Sequence, residues 1–133
     1  KAGIEPKEWK AFAIPAEMIV GPNSLVYLYK QKDEKYLESD AVTLKDNLAE
    51  LFYFLLKKYD DKTADFFLDK FSKIAVELPT TLISKAMIFR YKHKAIKFSY
   101  IDCLGYILAR LNNVKFLTGD IQFKDLDNVE YIK

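Results

Sequence analysis

Short apolar runs rich in β-branched residues alternate with amphipathic helical stripes along this chain, and that alternation limits the fold more than any single residue. MIV (18–20), AVTL (41–44), AVEL (75–78), VKFLTG (114–119) and VEYIK (129–133) read as strands. Between them, Leu48, Leu51, Phe52 and Leu55 follow an i, i+3, i+4, i+7 stripe, and Ala64, Phe67, Phe71 and Ile74 mark a second helix over about 62–74. Strands separated by helices pair in parallel through crossovers, and a parallel sheet needs helices on both faces. The expectation is an α/β protein, a three-layer α/β/α sandwich with a central, mostly parallel sheet.

Local signals set the expected boundaries. SLVYLYKQ (24–31) reads as a short helix and 32–40 as a polar connector. Asp46 and Asn47 are candidate caps for the helix LAELFYFLLKKY. Asp60 and Asp61 break the chain before the next helix, and Pro79 stops the AVEL strand. A helix then runs from Thr80 or Thr81 to Lys92, and Ser99 opens another through CLGYILARL. Residues 1–17 hold two prolines, a glycine and the only tryptophan without a clean period. They read as an irregular arm packed through Trp9 and Phe12. A length of 133 residues, half of them apolar, suits a single domain over 1–133 with a real core.

Charge and cysteine usage exclude several classes. Lys and Arg total 21 against 19 Asp and Glu, so nucleic-acid contact has to come from a local patch. Lys85, Arg90, Lys92, His93, Lys94 and Lys97 form the one dense basic run. Arg90, Lys92, Lys94 and Lys97 are its candidate phosphate contacts, although a basic helix end also suits the helix dipole. The lone Cys103 sits among apolar neighbours, which excludes a disulfide framework and suits a reducing compartment. No apolar run approaches the ~20 residues of a membrane span, and no leader pattern opens the chain. A cytoplasmic protein without membrane association is expected. Phe52, Tyr53, Phe54, Tyr59, Phe66, Phe67 and Phe71 are expected first of all in the core, with any exposed members offering a partner surface.

Two stretches, FSYID (98–102) and FLTGD (116–120), each end in an aspartate. Asp102 falls in the first turn of the Ser99 helix, and Asp120 just past a buried strand. Glu50 falls in the first turn of the helix after AVTL. Singly, each acid suits a cap, the helix dipole or a turn. Together they occupy equivalent rims of successive strand–helix units, where an open parallel sheet forms its crevice. Like charges ~4 Å apart repel by roughly 4 kcal/mol at an effective dielectric near 20, so such a cluster calls for a cation. Oxygen ligands without His or Cys favour Mg²⁺ or Mn²⁺. The expected chemistry is metal-assisted hydrolysis of a nucleic-acid backbone.

AVTLKDNLAELFYFLL, SYIDCLGYILARL and FLTGDIQFKDLDNVEYI, in that order, resemble the PIN-domain ribonucleases, and among them the VapC-type toxins. The resemblance covers 41–133, is weaker over 18–30 and is absent over 1–17. It implies a Mg²⁺- or Mn²⁺-dependent endoribonuclease acting on RNA, an antitoxin partner and a homodimer. It also implies that Glu50, Asp102 and Asp120 are the metal-binding and catalytic residues, supported by Ser99 and Thr118. The family's first aspartate, after strand 1, falls on Gly21, with Pro22 next and Asn23 on a matching amide. The span from strand 1 to strand 2 is short by about one helix. A shifted register would give the first aspartate's role to Asp33, Asp40 or Asp46. Without it, the resemblance implies a catalytically inactive module that binds RNA or a protein partner.

Overall fold

Every side chain of the first two strands is buried, the pattern of a strand covered on both faces. The computed structural model describes residues 18–21, 24, 25, 29 and 41–132. The readings made on residues 1–17, Pro22, Asn23, Asp33 and Asp40 lie outside them. The elements are β1 (Met18–Val20), β2 (Ala41–Leu44), α1 (Lys45–Lys58), α2 (Asp61–Ser72), β3 (Ala75–Val76), α3 (Thr80–Lys92), α4 (Tyr100–Asn112), β4 (Lys115–Thr118) and β5 (Val129–Tyr131). A 3-10 turn (Ile121–Phe123) follows β4, and Ser24, Leu25 and Tyr29 are helical. The strand order is β3-β2-β1-β4-β5, and every described pairing is parallel. The expected sandwich is present, with its described sheet wholly rather than mostly parallel.

Alternation along the strands divides the core into two layers. Ile19, Val42, Leu44 and Phe116 face Leu82 and Ala86 of α3, Phe98, and Leu104 and Leu108 of α4. Met18, Val20, Ala41 and Leu117 face the other way, onto Leu48, Leu51 and Leu55 of α1 and Ala64, Phe67 and Phe71 of α2. Gly105 lets α4 close on the sheet: a Cβ there would stand 2.7 Å from Phe116 Cε1. Phe123 is fully buried, with ring centroids 4.4 Å from Phe98 and 5.6 Å from Phe116. That aromatic contact anchors the turn after β4 against the start of α4.

Several local expectations need correction. Leu44 rather than Asp46 or Asn47 is the N-cap of α1, without a side-chain cap bond, and both polar residues lie inside the first turn. The AVEL strand pairs only through Ala75 and Val76 before the chain turns into α3. Tyr53, Tyr59 and Phe66 are each more than half exposed, so the aromatic run is only partly core. Ser99 opens α4 as expected, and Asp60, expected only to break the chain, caps α2. Asp60 accepts from the Thr63 N–H at 2.7 Å, and Ser99 Oγ accepts from the Asp102 N–H at 3.4 Å.

Candidate functional site

Neighbouring strands on the two sides of β1 come from opposite directions of the connectivity, which makes the β1–β4 gap a topological switch point. In open α/β sheets the crevice outside the strand C-termini at such a point is where ligands bind. Gly21 leaves β1 there, Asp120 follows β4, and the first turn of α4 brings in Asp102.

Of the three acids expected from the sequence, Asp102 and Asp120 meet at this rim, and Glu50 reaches it only by its charge. Asp102 and Asp120 come close enough for charge and side-chain hydrogen bonding from Asp120 to act on the Asp102 carboxyl. Burial pushes the Asp102 carboxyl up to about 7, reinforced by the Asp120 charge, by the shared hydrogen bond and by the Glu50 charge. Glu50 is exposed at the lip and acts only by its field. Thr118, buried at the end of β4, accepts the Asp120 N–H on Oγ1 at 3.1 Å. Asp120 Oδ1 in turn accepts the Gln122 N–H at 3.0 Å. Ser99 fixes the start of α4 rather than touching either carboxyl through a described bond. Asn23 lies outside the described residues.

Gly21 is the point of departure from a full carboxylate set. Its N–H donates to Leu117 O at 3.1 Å, locking the end of β1 beside β4. A Cβ built on it would lie 3.3 Å from Asp102 Oδ1. A side chain at this position would therefore enter the acidic crevice directly, and glycine sends none.

Asn47 is a residue that sequence reasoning treated only as a cap. It is buried in the first turn of α1, and its Nδ2 donates to Val20 O at 3.1 Å and to Thr43 Oγ1 at 2.8 Å. Thr43 Oγ1 donates to the same Val20 carbonyl at 2.7 Å. Asn47 Oδ1 has no hydrogen-bond partner among the described residues. The signal was available: a polar residue inserted on the apolar side of the stripe, one turn before Glu50.

Among the described residues no three His, Cys, Asp or Glu side chains form a group able to hold a metal ion. Mg²⁺, however, is commonly held by one or two carboxylates, its other positions filled by water and substrate phosphate. A paired Asp102 and Asp120 fits that mode, because a hard cation would offset the repulsion that now keeps Asp102 protonated near neutrality. The partnerless Asn47 Oδ1 adds a neutral oxygen at the end of β1.

The basic run spans the end of α3 and the loop that leads into α4. Arg90, Lys94 and Lys97 line a cavity of about 510 Å³ together with Met87 and Tyr91. Lys92 is exposed on α3 and is not among its lining residues. His93 stacks on Phe89 at 4.4 Å, and its Nδ1 donates to Phe89 O at 2.9 Å, a structural role. Cys103 is fully buried, and burial pushes its thiol up to about 12, which leaves it inert as a nucleophile. No described helix is long and apolar enough to cross a membrane.

This architecture is shared with solved chains from toxin–antitoxin assemblies. A chain of VapBC2 from Rickettsia felis, solved bound to a DNA fragment from the promoter, matches with a TM-score of 0.59 and 21% identity, over 86% of this chain and 97% of that one. A chain of a toxin–antitoxin complex from Klebsiella pneumoniae matches with a TM-score of 0.60 and 15% identity, over 86% and 99%. At such identities the likeness is one of fold. No family model and no curated protein matches the chain.

Proposed function

We propose that this chain is a PIN-type endoribonuclease of the VapC toxin kind, hydrolysing RNA phosphodiesters with Mg²⁺ or Mn²⁺ held at Asp102 and Asp120. The single observation that carries the reading is the carboxyl pair at the β1–β4 switch point of a fold shared with toxin–antitoxin chains. When bound, the divalent cation neutralises charge on the phosphodiester and makes water more acidic. Asp102 and Asp120 bind it and are the catalytic carboxylates. Thr118 Oγ1 and the Gln122 N–H orient Asp120. Glu50 adds negative charge at the lip and is the third acidic residue of the site. In the free site the proton held by Asp102 lowers the repulsion between the carboxyls, a role that a bound cation would take over.

An antitoxin-type protein partner and a homodimer belong to the same reading. Tyr29, Tyr53 and Phe66 are exposed on the α1–α2 side, the kind of aromatic surface that a partner helix covers. The test uses structured RNA and Mn²⁺ with excess protein. Cleavage that disappears in EDTA and in Asp102→Asn supports the reading. No cleavage, or cleavage equal in Asp102→Asn, removes it. Gly21 specifically favours a second reading, an inactive PIN-like module that binds RNA or a protein partner without hydrolysis. Binding of the same RNA without cleavage selects that second reading.

A further inference from the structure

The C-terminal end of α3 and the loop that follows it form a cationic hollow, and the site described above does not use it. Arg90 Nε donates to Phe98 O at 2.9 Å, which fixes the guanidinium at the mouth and leaves its terminal nitrogens for another acceptor. Lys94 Nζ lies 4.7 Å from the centroid of the Tyr91 ring, and Tyr91 itself is 70% exposed. Lys97 adopts a left-handed backbone with φ 64, which only a specific local shape holds in a non-glycine residue. The lining residues Met87, Arg90, Tyr91, Lys94 and Lys97 contribute three cations and no anion.

The hollow is physically tied to the acidic rim. Gln122 Nε2 donates to Ile96 O at 2.7 Å, while the Gln122 N–H binds Asp120 Oδ1. The Arg90 charge also reaches Cys103, the residue after Asp102. A cation-lined cavity with an exposed aromatic ring, set beside a carboxyl pair, has the two parts that single-stranded nucleic acid needs: a phosphate seat and a stacking platform.

We propose that the Arg90–Lys94–Lys97 cavity seats a backbone phosphate of single-stranded RNA next to the acidic rim, with the adjoining base stacked on Tyr91. The inference rests on the reading that this chain acts on RNA, and it adds where the strand lies. Arg90 gives a planar fork suited to phosphate, and Lys94 and Lys97 act as mobile point charges on either side. Substrate is thereby gripped outside the carboxylates, so that anionic RNA approaches an acidic crevice without being repelled from it.

The test measures fluorescence anisotropy of a fluorescein-labelled oligouridylate ten-mer with the full chain in EDTA, across a salt series. Lys94→Gln combined with Lys97→Asn removes two exposed charges without disturbing the Arg90–Phe98 bond, and asparagine tolerates the left-handed backbone. That variant is expected to lower the slope of log affinity against log salt by about 1.4, from two contacts at ~0.7 each. Tyr91→Ala is expected to raise Kd about tenfold with the salt slope unchanged. Lys62→Gln, on α2, is expected to leave both values unchanged. Affinity within twofold of wild type in both cavity variants overturns the proposal. So does competition by a polyglutamate decapeptide as effective as that by unlabelled RNA, which would assign the hollow to an acidic protein segment. Because binding is read without metal, absent cleavage with Mn²⁺ counts against the nuclease reading alone.

Discussion

Asp102 keeps a proton near neutrality because four effects favour its neutral form: lost hydration, the Asp120 charge beside it, hydrogen bonding with Asp120 and the Glu50 charge beyond. Its carboxyl titrates at about 7 in the folded chain against an ordinary value of 3.8. Between those values the folded state binds the extra proton, so the stability that this group contributes is complete below about pH 4 and is lost as pH rises through 7. The loss is bounded at ~4 kcal/mol by the size of the shift. In Asp102→Asn the amide replaces the reluctant anion. Thermal unfolding in EDTA should show that variant several degrees more stable than wild type at pH 8, with no advantage at pH 4.5. A wild-type midpoint that stays flat or rises over this range contradicts the assignment. At this scale the identity of the acids was legible from FSYID and FLTGD, because a helix cap and a strand end are local patterns. Their approach to each other was not, since it depends on how α4 leans on β4.

The elements themselves show why α4 leans so closely. Its residues from Cys103 to Ala109 are buried without interruption, so the helix is covered almost all round rather than on one stripe. Gly105 costs the helix ~1 kcal/mol in propensity relative to alanine, yet it removes the methyl that would meet Phe116 at 2.7 Å. Gly105→Ala gains the propensity and meets an overpacked contact against a fully buried ring. A net destabilisation of ~1–2 kcal/mol is expected in urea unfolding, and any gain in stability would refute the close-approach argument. Helix α1 carries the opposite lesson. Asp46 and Asn47 have cap chemistry, but burial of Leu44 in the sheet extends the strand to the edge of the helix and moves both residues inside it. Only a register decided by sheet packing turns Asn47 inward to the Val20 carbonyl.

For the molecule as a whole, the rim joins segments far apart in the chain: the end of β1, the first turn of α4 and the turn after β4. Gly21 tests whether that convergence is what a cation needs. Gly21→Asp would place a third carboxylate against Asp102, where a Cβ already makes a 3.3 Å contact. Without metal at pH 7.5 it should destabilise the chain by ~1–3 kcal/mol, through crowding and like-charge repulsion. Mn²⁺ should then raise its thermal midpoint more than it raises that of wild type, in proportion to tighter binding. Equal Mn²⁺ responses would mean that position 21 does not face the ion.

The alternation of apolar runs and helical stripes was enough to set layer order and strand direction. Burial on two faces makes each central strand a continuous apolar run, packing on one side imposes a period of 3.6 on each helix, and both patterns are written locally. Placement of Ser99, Asp60 and Pro79 likewise marked where helices begin, because caps answer to neighbours within a turn. Tertiary structure alone decided that β1 lies between β2 and β4, that Gly21 opens toward Asp102, and that the Arg90 loop is pinned to the Asp120 turn by Gln122. These are contacts between segments distant in the chain. Their geometry comes from the balance of packing across the whole sheet, which no local pattern encodes.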